Sequence, residues 1–166
     1  ASAILATLIA LPVLTGCSDS VANERTESAI DYAAPMSIGD GTVRTYGGRH
    51  SRGVPTSIGV ELSESALSGL PTTATMLHLP FPTAAGSTQY TFAMVDWNPA
   101  GHEPDHVYTI PHFDFHFYMA PENEVMAIPG GTDRAVAESR FVPPDYIAPG
   151  NAAVPAMGVH WVDATA

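Results

Sequence analysis

The chain contains no lysine, and its six arginines face seventeen acidic residues, for a formal net charge of −11. Such a surface repels phosphate backbones, so nucleic acid is excluded as a partner. It also repels anionic lipid head groups, so a membrane contact needs an anchor rather than a charged patch. Cysteine is almost absent: Cys17 stands alone, which excludes a disulfide framework and a cysteine-rich zinc site. No Gly-x-Ser-x-Gly elbow is present, which argues against a serine hydrolase. The glycines of "SIGDGTV" lack the spacings that cradle phosphates or dinucleotides. There is no internal repeat. What the chain has in quantity is proline (15) and glycine (14), spread along its length. Both oppose long helices and favour short strands and turns. With 166 residues and 45% hydrophobic content, it suits one domain with a packed core.

The N-terminal apolar run, "ASAILATLIALPVLTGCSDS", is too short for a comfortable transmembrane helix and ends in small residues, as a signal peptide does. Leu14-Thr15-Gly16-Cys17 resembles the lipobox of bacterial lipoproteins. That resemblance implies cleavage before Cys17, a diacylglyceryl group on its sulfur, and export to the periplasmic or extracellular side. The expected organisation is therefore a signal peptide over 1–16, a lipid-anchored tether over 17–35, and a β-rich domain over 36–166. The run lacks an initiator Met and a basic leader segment, and the chain stops directly after a strand pattern. The expectation is a sequence shortened at both ends.

Within the domain, "IGDGTVRTY" reads as a hairpin and "TSIGVEL" as a strand. In "SESALSGLP", Ser63 is a candidate cap for a short helix ended by Gly69 and Pro71. "ATMLHLPFP" and "STQYTFAMVDW" are further strands; in the second, Tyr90, Phe92, Met94 and Asp96 share a face. "VMAIPGG" is a segment that could pair back, and "MGVHWVD" is the last strand candidate. The expected class is mainly β: an antiparallel sandwich or barrel-like sheet with one short helix near 63–70.

The histidines concentrate in "GHEPDHVYTIPHFDFHFYM", Gly101 to Met119. Read as a strand, Pro111 to Tyr118 puts His112, Asp114 and His116 on one face and Phe113, Phe115 and Phe117 on the other. The phenylalanines suit a core, and the polar face suits a cavity. His112 and His116 are roughly 13 Å apart at Cα on a flat strand, too far for easy chelation of one ion. One of them with Asp114 is feasible, completed by His102 or by His160 from the last strand. Glu103, His106 and Asp163 are candidates for a supporting shell or a base. Zinc or another divalent metal would be the cofactor. The competing reading needs no metal: a His–Asp pair that fixes strand register or touches a polar ligand. A helical His-x-x-x-His is disfavoured by the aromatic alternation and by Pro111.

Three segments resemble a family of uncharacterised bacterial secreted proteins, a domain of unknown function. They are Trp97 to His102 (Trp-x-Pro-x-Gly-His), Pro111 to Tyr118 (Pro-His-Phe-Asp-Phe-His-Phe-Tyr), and His160-Trp161 with Asp163. The resemblance runs from about Gly39 to Asp163. It implies a β-rich fold, export, homo-oligomers and further aromatic strands beyond this point, and it supplies no activity. The expectation is a cell-envelope lipoprotein with a histidine-lined site for a divalent metal or a small polar ligand. The alternatives are a metal-dependent hydrolase, or an envelope assembly protein that uses the histidine strand as an interface.

Overall fold

The computed structural model describes residues 29–83, 88–102, 106, 108–132 and 137–165. Cys17, the signal segment, Glu103 and most of the tether lie outside the described residues. The architecture is mainly β and antiparallel, and the described strands form no closed barrel. In the first sheet, β1 (Ala29–Tyr32), β2 (Met36–Ile38), β3 (Gly41–Arg49) and β4 (Pro55–Leu62) assemble around β3. β4 runs along one edge of β3, while β1 and β2 follow one another along the other. The second sheet has the order β5 (Thr75–Pro80), β6 (Phe92–Asn98), β7 (His112–Tyr118).

The first sheet begins inside the stretch read as a tether. Ala29–Tyr32 pairs with Tyr46–Arg49, and Asp31 Oδ2 accepts from Arg49 Nε at 2.9 Å. Tyr32 lies under the Arg44 guanidinium, 3.8 Å from its ring centroid. These contacts give an otherwise polar segment reason to order.

The hairpin of β2 and β3 turns at Gly39-Asp40, with Gly39 at φ +53°. A β-carbon on Gly39 would run into the Ala66 and Ser68 carbonyls, so the turn needs glycine for both backbone angle and space. The expected helix near 63–70 is a single 3-10 turn, Glu64–Leu67. Ser63 makes no side-chain cap there. Its Oγ accepts instead from Thr42 N at 3.0 Å, tying the turn to β3. The α-helical turn of the domain is α1 (Glu122–Met126), which takes up part of the segment expected to pair back onto the sheet.

The two sheets enclose the main core. Ile38, Val43, Ala66, Leu79 and Val95 are buried there, with Trp97 and Phe113 packed against them. Thr45, fully buried on β3, donates to the Pro80 carbonyl on β5 at 2.5 Å and joins the sheets. A second, smaller core lies on the opposite face of the second sheet. Phe92, Met94 and Val125 form it, with Tyr118, Ile128 and Met157 alongside. β6 is therefore covered on both faces, and Phe92 through Asp96 are buried without interruption, as expected of a central strand.

β7 is the outer strand of its sheet. Phe113 reaches the core and stacks near Trp97, with ring centroids 4.8 Å apart. Phe115 and Phe117 do not: they are 45% and 38% exposed. The expectation that all three phenylalanines are core residues is corrected here. An edge strand outruns the sheet that covers it, so only the Phe113 end is roofed.

Beyond α1 the chain forms three-residue turns and short pairs: β8 (Tyr146–Ile147) with β11 (Val162–Asp163), and β9 (Ala153–Val154) with β10 (Gly158–Val159). The last strand candidate is thus split, with His160 and Trp161 between β10 and β11. Met157 docks into the smaller core, and Ala156 N donates to Ile128 O at 3.0 Å. These contacts hold the excursion over the polar face of β7. Leu79→Ala should cost about 2–5 kcal/mol by denaturant unfolding, because Leu79 is enclosed between the sheets. The exposed Leu67→Ala should change stability by less than about 0.5 kcal/mol.

Candidate metal centre

The register of β6 against β7 builds the site. Asn98 lies opposite His112, Asp96 opposite Asp114, and Met94 opposite His116. With a side-chain period of two, all six point to the same face. One half of that face is filled by the smaller core, and the other half opens as a cleft of about 960 Å³. Asp96, Asn98, Asp114 and His116 line it from the sheet, His102 and Tyr108 from the connecting loop, and His160 and Trp161 from the C-terminal excursion.

His102, His112 and Asp114 converge on one point. His102 Nε2 lies 3.1 Å from His112 Nε2 and 3.0 Å from Asp114 Oδ2, and His112 Nε2 lies 3.4 Å from Asp114 Oδ2. These three atoms are close enough to hold a metal ion. Gly101 makes the approach of His102 feasible. It takes φ +68°, and a β-carbon there would collide with the Tyr108 carbonyl and the Thr109–Ile110 backbone. His102 N can then donate to Tyr108 O at 2.8 Å.

The side chains are oriented from behind. His112 Nδ1 sits 2.6 Å from the Ile110 carbonyl. A carbonyl only accepts, so Nδ1 carries a proton, and in the neutral ring Nε2 presents its lone pair to the cluster. Asn98 Nδ2 donates to Asp114 Oδ2 at 2.8 Å, fixing the carboxylate. Backbone and amide contacts of this kind set ligand orientation in metal sites. They equally suit a metal-free network, in which His102 Nε2–H donates to Asp114.

His116 does not join this trio. Its Nδ1 lies 3.3 Å from Asp96 Oδ2, yet the pair is not aligned as a hydrogen bond, and both atoms are buried without a partner. His160 stacks on His116, ring centroids 5.8 Å apart. His160 is exposed as a residue, but its ring packs on His116; partial desolvation of the ring, then the neighbouring His116, lower its pKa below the usual value. Tyr118 also stacks on His116, and burial and the charge of Asp96 push its pKa up to about 12. His106 lies outside the group, exposed at φ +67°. Asp163 is turned to its own chain end. Its Oδ1 accepts from Thr165 N at 2.8 Å and Thr165 Oγ1 at 2.6 Å, which lowers its pKa and weakens it as a base. His78 pairs instead with Glu122 of α1, Nδ1 to Oε1 2.7 Å.

Asp96, Asn98 and Tyr108 are site residues that the sequence reading did not assign to the site. Alternation along β6 already sets Asp96 on the Met94 face. Only the pairing with β7 reveals that this face and the histidine face are the same.

A family model described as TTHB210-like, hypothetical protein TTHB210, matches residues 51–97. The match spans β4, β5 and β6 as far as Trp97, and ends before the histidine strand; the family is uncharacterised. No curated protein and no solved structure matches the chain.

The lowered pKa of His160 carries a pH signature. Folding disfavours its protonated form, so this contribution to stability is complete above the unfolded pKa near 6.5 and is lost as pH falls through the lower folded value. Thermal midpoints of the metal-free protein should fall from pH 7 to pH 5, and less steeply in His160→Asn. Identical slopes would mean that the ring is not held away from water.

Proposed function

We propose that this chain is an exported, lipid-anchored envelope protein whose β domain binds a divalent metal, zinc by preference, through His102, His112 and Asp114. The supporting observation is the shape of the cluster. Bonds of roughly 2.0–2.2 Å to a tetrahedral zinc set the ligand atoms roughly 3.3–3.6 Å apart. The three edges here are 3.0, 3.1 and 3.4 Å, close to one face of such a tetrahedron. Two imidazole nitrogens and a carboxylate oxygen are a donor set that zinc accepts. Calcium and magnesium prefer all-oxygen shells. The lipid anchor rests on Leu14 to Cys17, outside the described residues.

The cleft beside the trio favours one elaboration. Three protein ligands leave a fourth position for water, as in catalytic zinc sites, and a bound metal would supply an activated water there. This supports the reading of a metal-dependent hydrolase, without naming a substrate. The open edge of β7, with Phe115 and Phe117 exposed, supports the other reading, an assembly protein that meets a second copy along this strand.

Elemental analysis of the untagged chain tests the metal reading. About one zinc or more per chain is expected in the wild type, with one fewer in His112→Ala and in Asp114→Ala. Affinity should weaken as pH falls, because protons compete with the metal for the imidazole nitrogens. Zinc contents unchanged by either substitution would remove the trio as the site. In a bacterial host, Cys17→Ser should move the protein out of the membrane fraction; continued membrane retention would end the anchor reading.

A further inference from the structure

We propose that the cleft holds a second divalent-cation site, built on Asp96 and His116 and closed by His160. It uses side chains distinct from the trio and stands or falls separately from it. Asp96 is 6% exposed, so its carboxylate sits where charge is costly unless compensated. Its Oδ2 has no hydrogen-bond partner, and neither has His116 Nδ1, 3.3 Å away. Two buried acceptor and donor atoms facing one another without bonding need a physical reason.

A shared cation supplies one. The 3.3 Å separation is the ligand–ligand edge expected for tetrahedral zinc bonds of roughly 2.0 Å. A nitrogen and a carboxylate oxygen at that spacing are two ligands of one ion. His160, stacked at 5.8 Å between ring centroids on His116, is the imidazole beside this pair; its nitrogens do not lie within ligand range of both atoms, so its ring has to turn to complete the set. The C-terminal excursion that carries it is anchored by Met157 in the smaller core.

Charge argues the same way. Asp96 and Asp114 are direct cross-strand partners, so two carboxylates share one face at the spacing where like charges destabilise a sheet. No arginine lines the cleft. Arg44, Arg49 and Arg140 are paired with Glu61, Asp31 and Glu138. Among the described residues that line the cleft, nothing permanently cationic faces this pair. A cation on each carboxylate compensates it, and neighbouring divalent ions are a recurrent arrangement in sites that act on phosphate or peptide groups.

Equilibrium dialysis of the chelator-stripped full chain against zinc, with elemental analysis, reads the stoichiometry. The expected result is about two ions per chain in the wild type, and about one in Asp96→Asn and in His112→Ala. A wild type with a single ion that Asp96→Asn retains would overturn the second site and leave the trio standing. A single ion lost in Asp96→Asn but kept in His112→Ala would uphold this site and overturn the trio. No ion in the wild type would overturn both. Circular dichroism checks folding. If Asp96→Asn fails to fold, His160→Ala, at an exposed position, replaces it with the same expected loss of one ion. A His160→Ala that still holds the wild-type number would then refute the inference.

Discussion

The whole site depends on the register of β6 against β7. Asp96 opposite Asp114 and Asn98 opposite His112 place every polar group of the two strands on one face. A slip of one residue would turn Phe113, Phe115 and Phe117 into the cleft and send the histidines toward the main core. The register is held from both sides: Val95, Trp97 and Phe113 lock one face into the main core, and Phe92, Met94 and Tyr118 lock the other into the smaller one. The polar residues are thus displayed by apolar packing that would fail in any other alignment.

That arrangement concentrates polar groups where a sheet covered on both sides can least tolerate them. The half of the face filled by Phe92 and Met94 is dry. The other half carries two carboxylates and two histidines, under a loop that brings His102 and a C-terminal excursion that brings His160. Those segments are irregular in backbone yet tied down at defined points: Gly101 lets His102 approach, and Met157 brings His160 over His116. Among the described residues no arginine lines the cleft. A cationic partner from solution or a protonated imidazole can balance the carboxylates there. The first case gives a metal site. The second gives a histidine–aspartate network sensitive to pH.

Much of this was legible in the sequence. Alternation in "PHFDFHFY" identifies a strand with His112, Asp114 and His116 on one face, and the four-residue spacing separates His112 from His116. In the structure each sits with a different aspartate. Hairpins and strand positions along 36–98 follow from turn residues and period two. What was not legible depends on pairing between distant segments. Asp96 and Asn98 look like an ordinary strand end until β7 is laid beside them. The exposure of Phe115 and Phe117 follows from β7 being at an edge, which no local pattern reveals. The turn at 63–70 tightens into a 3-10 form because Ser63 bonds to Thr42 on another strand rather than capping its own turn. The helix at Glu122–Met126 begins after Pro121, and burial of Val125 against Phe92 and Met94 supports it more than propensity does.

X-ray absorption at the zinc edge on the zinc-loaded chain reads the ligand set of the bound ion. Histidines at His102 and His112 predict a first shell of nitrogen and oxygen near 2.0–2.1 Å, with the outer-shell scattering of about two imidazole rings at the trio. That imidazole scattering should fall in His112→Ala. A zinc environment of oxygen alone, or one unchanged by His112→Ala, would rule out the trio as the site and return these histidines to a structural role.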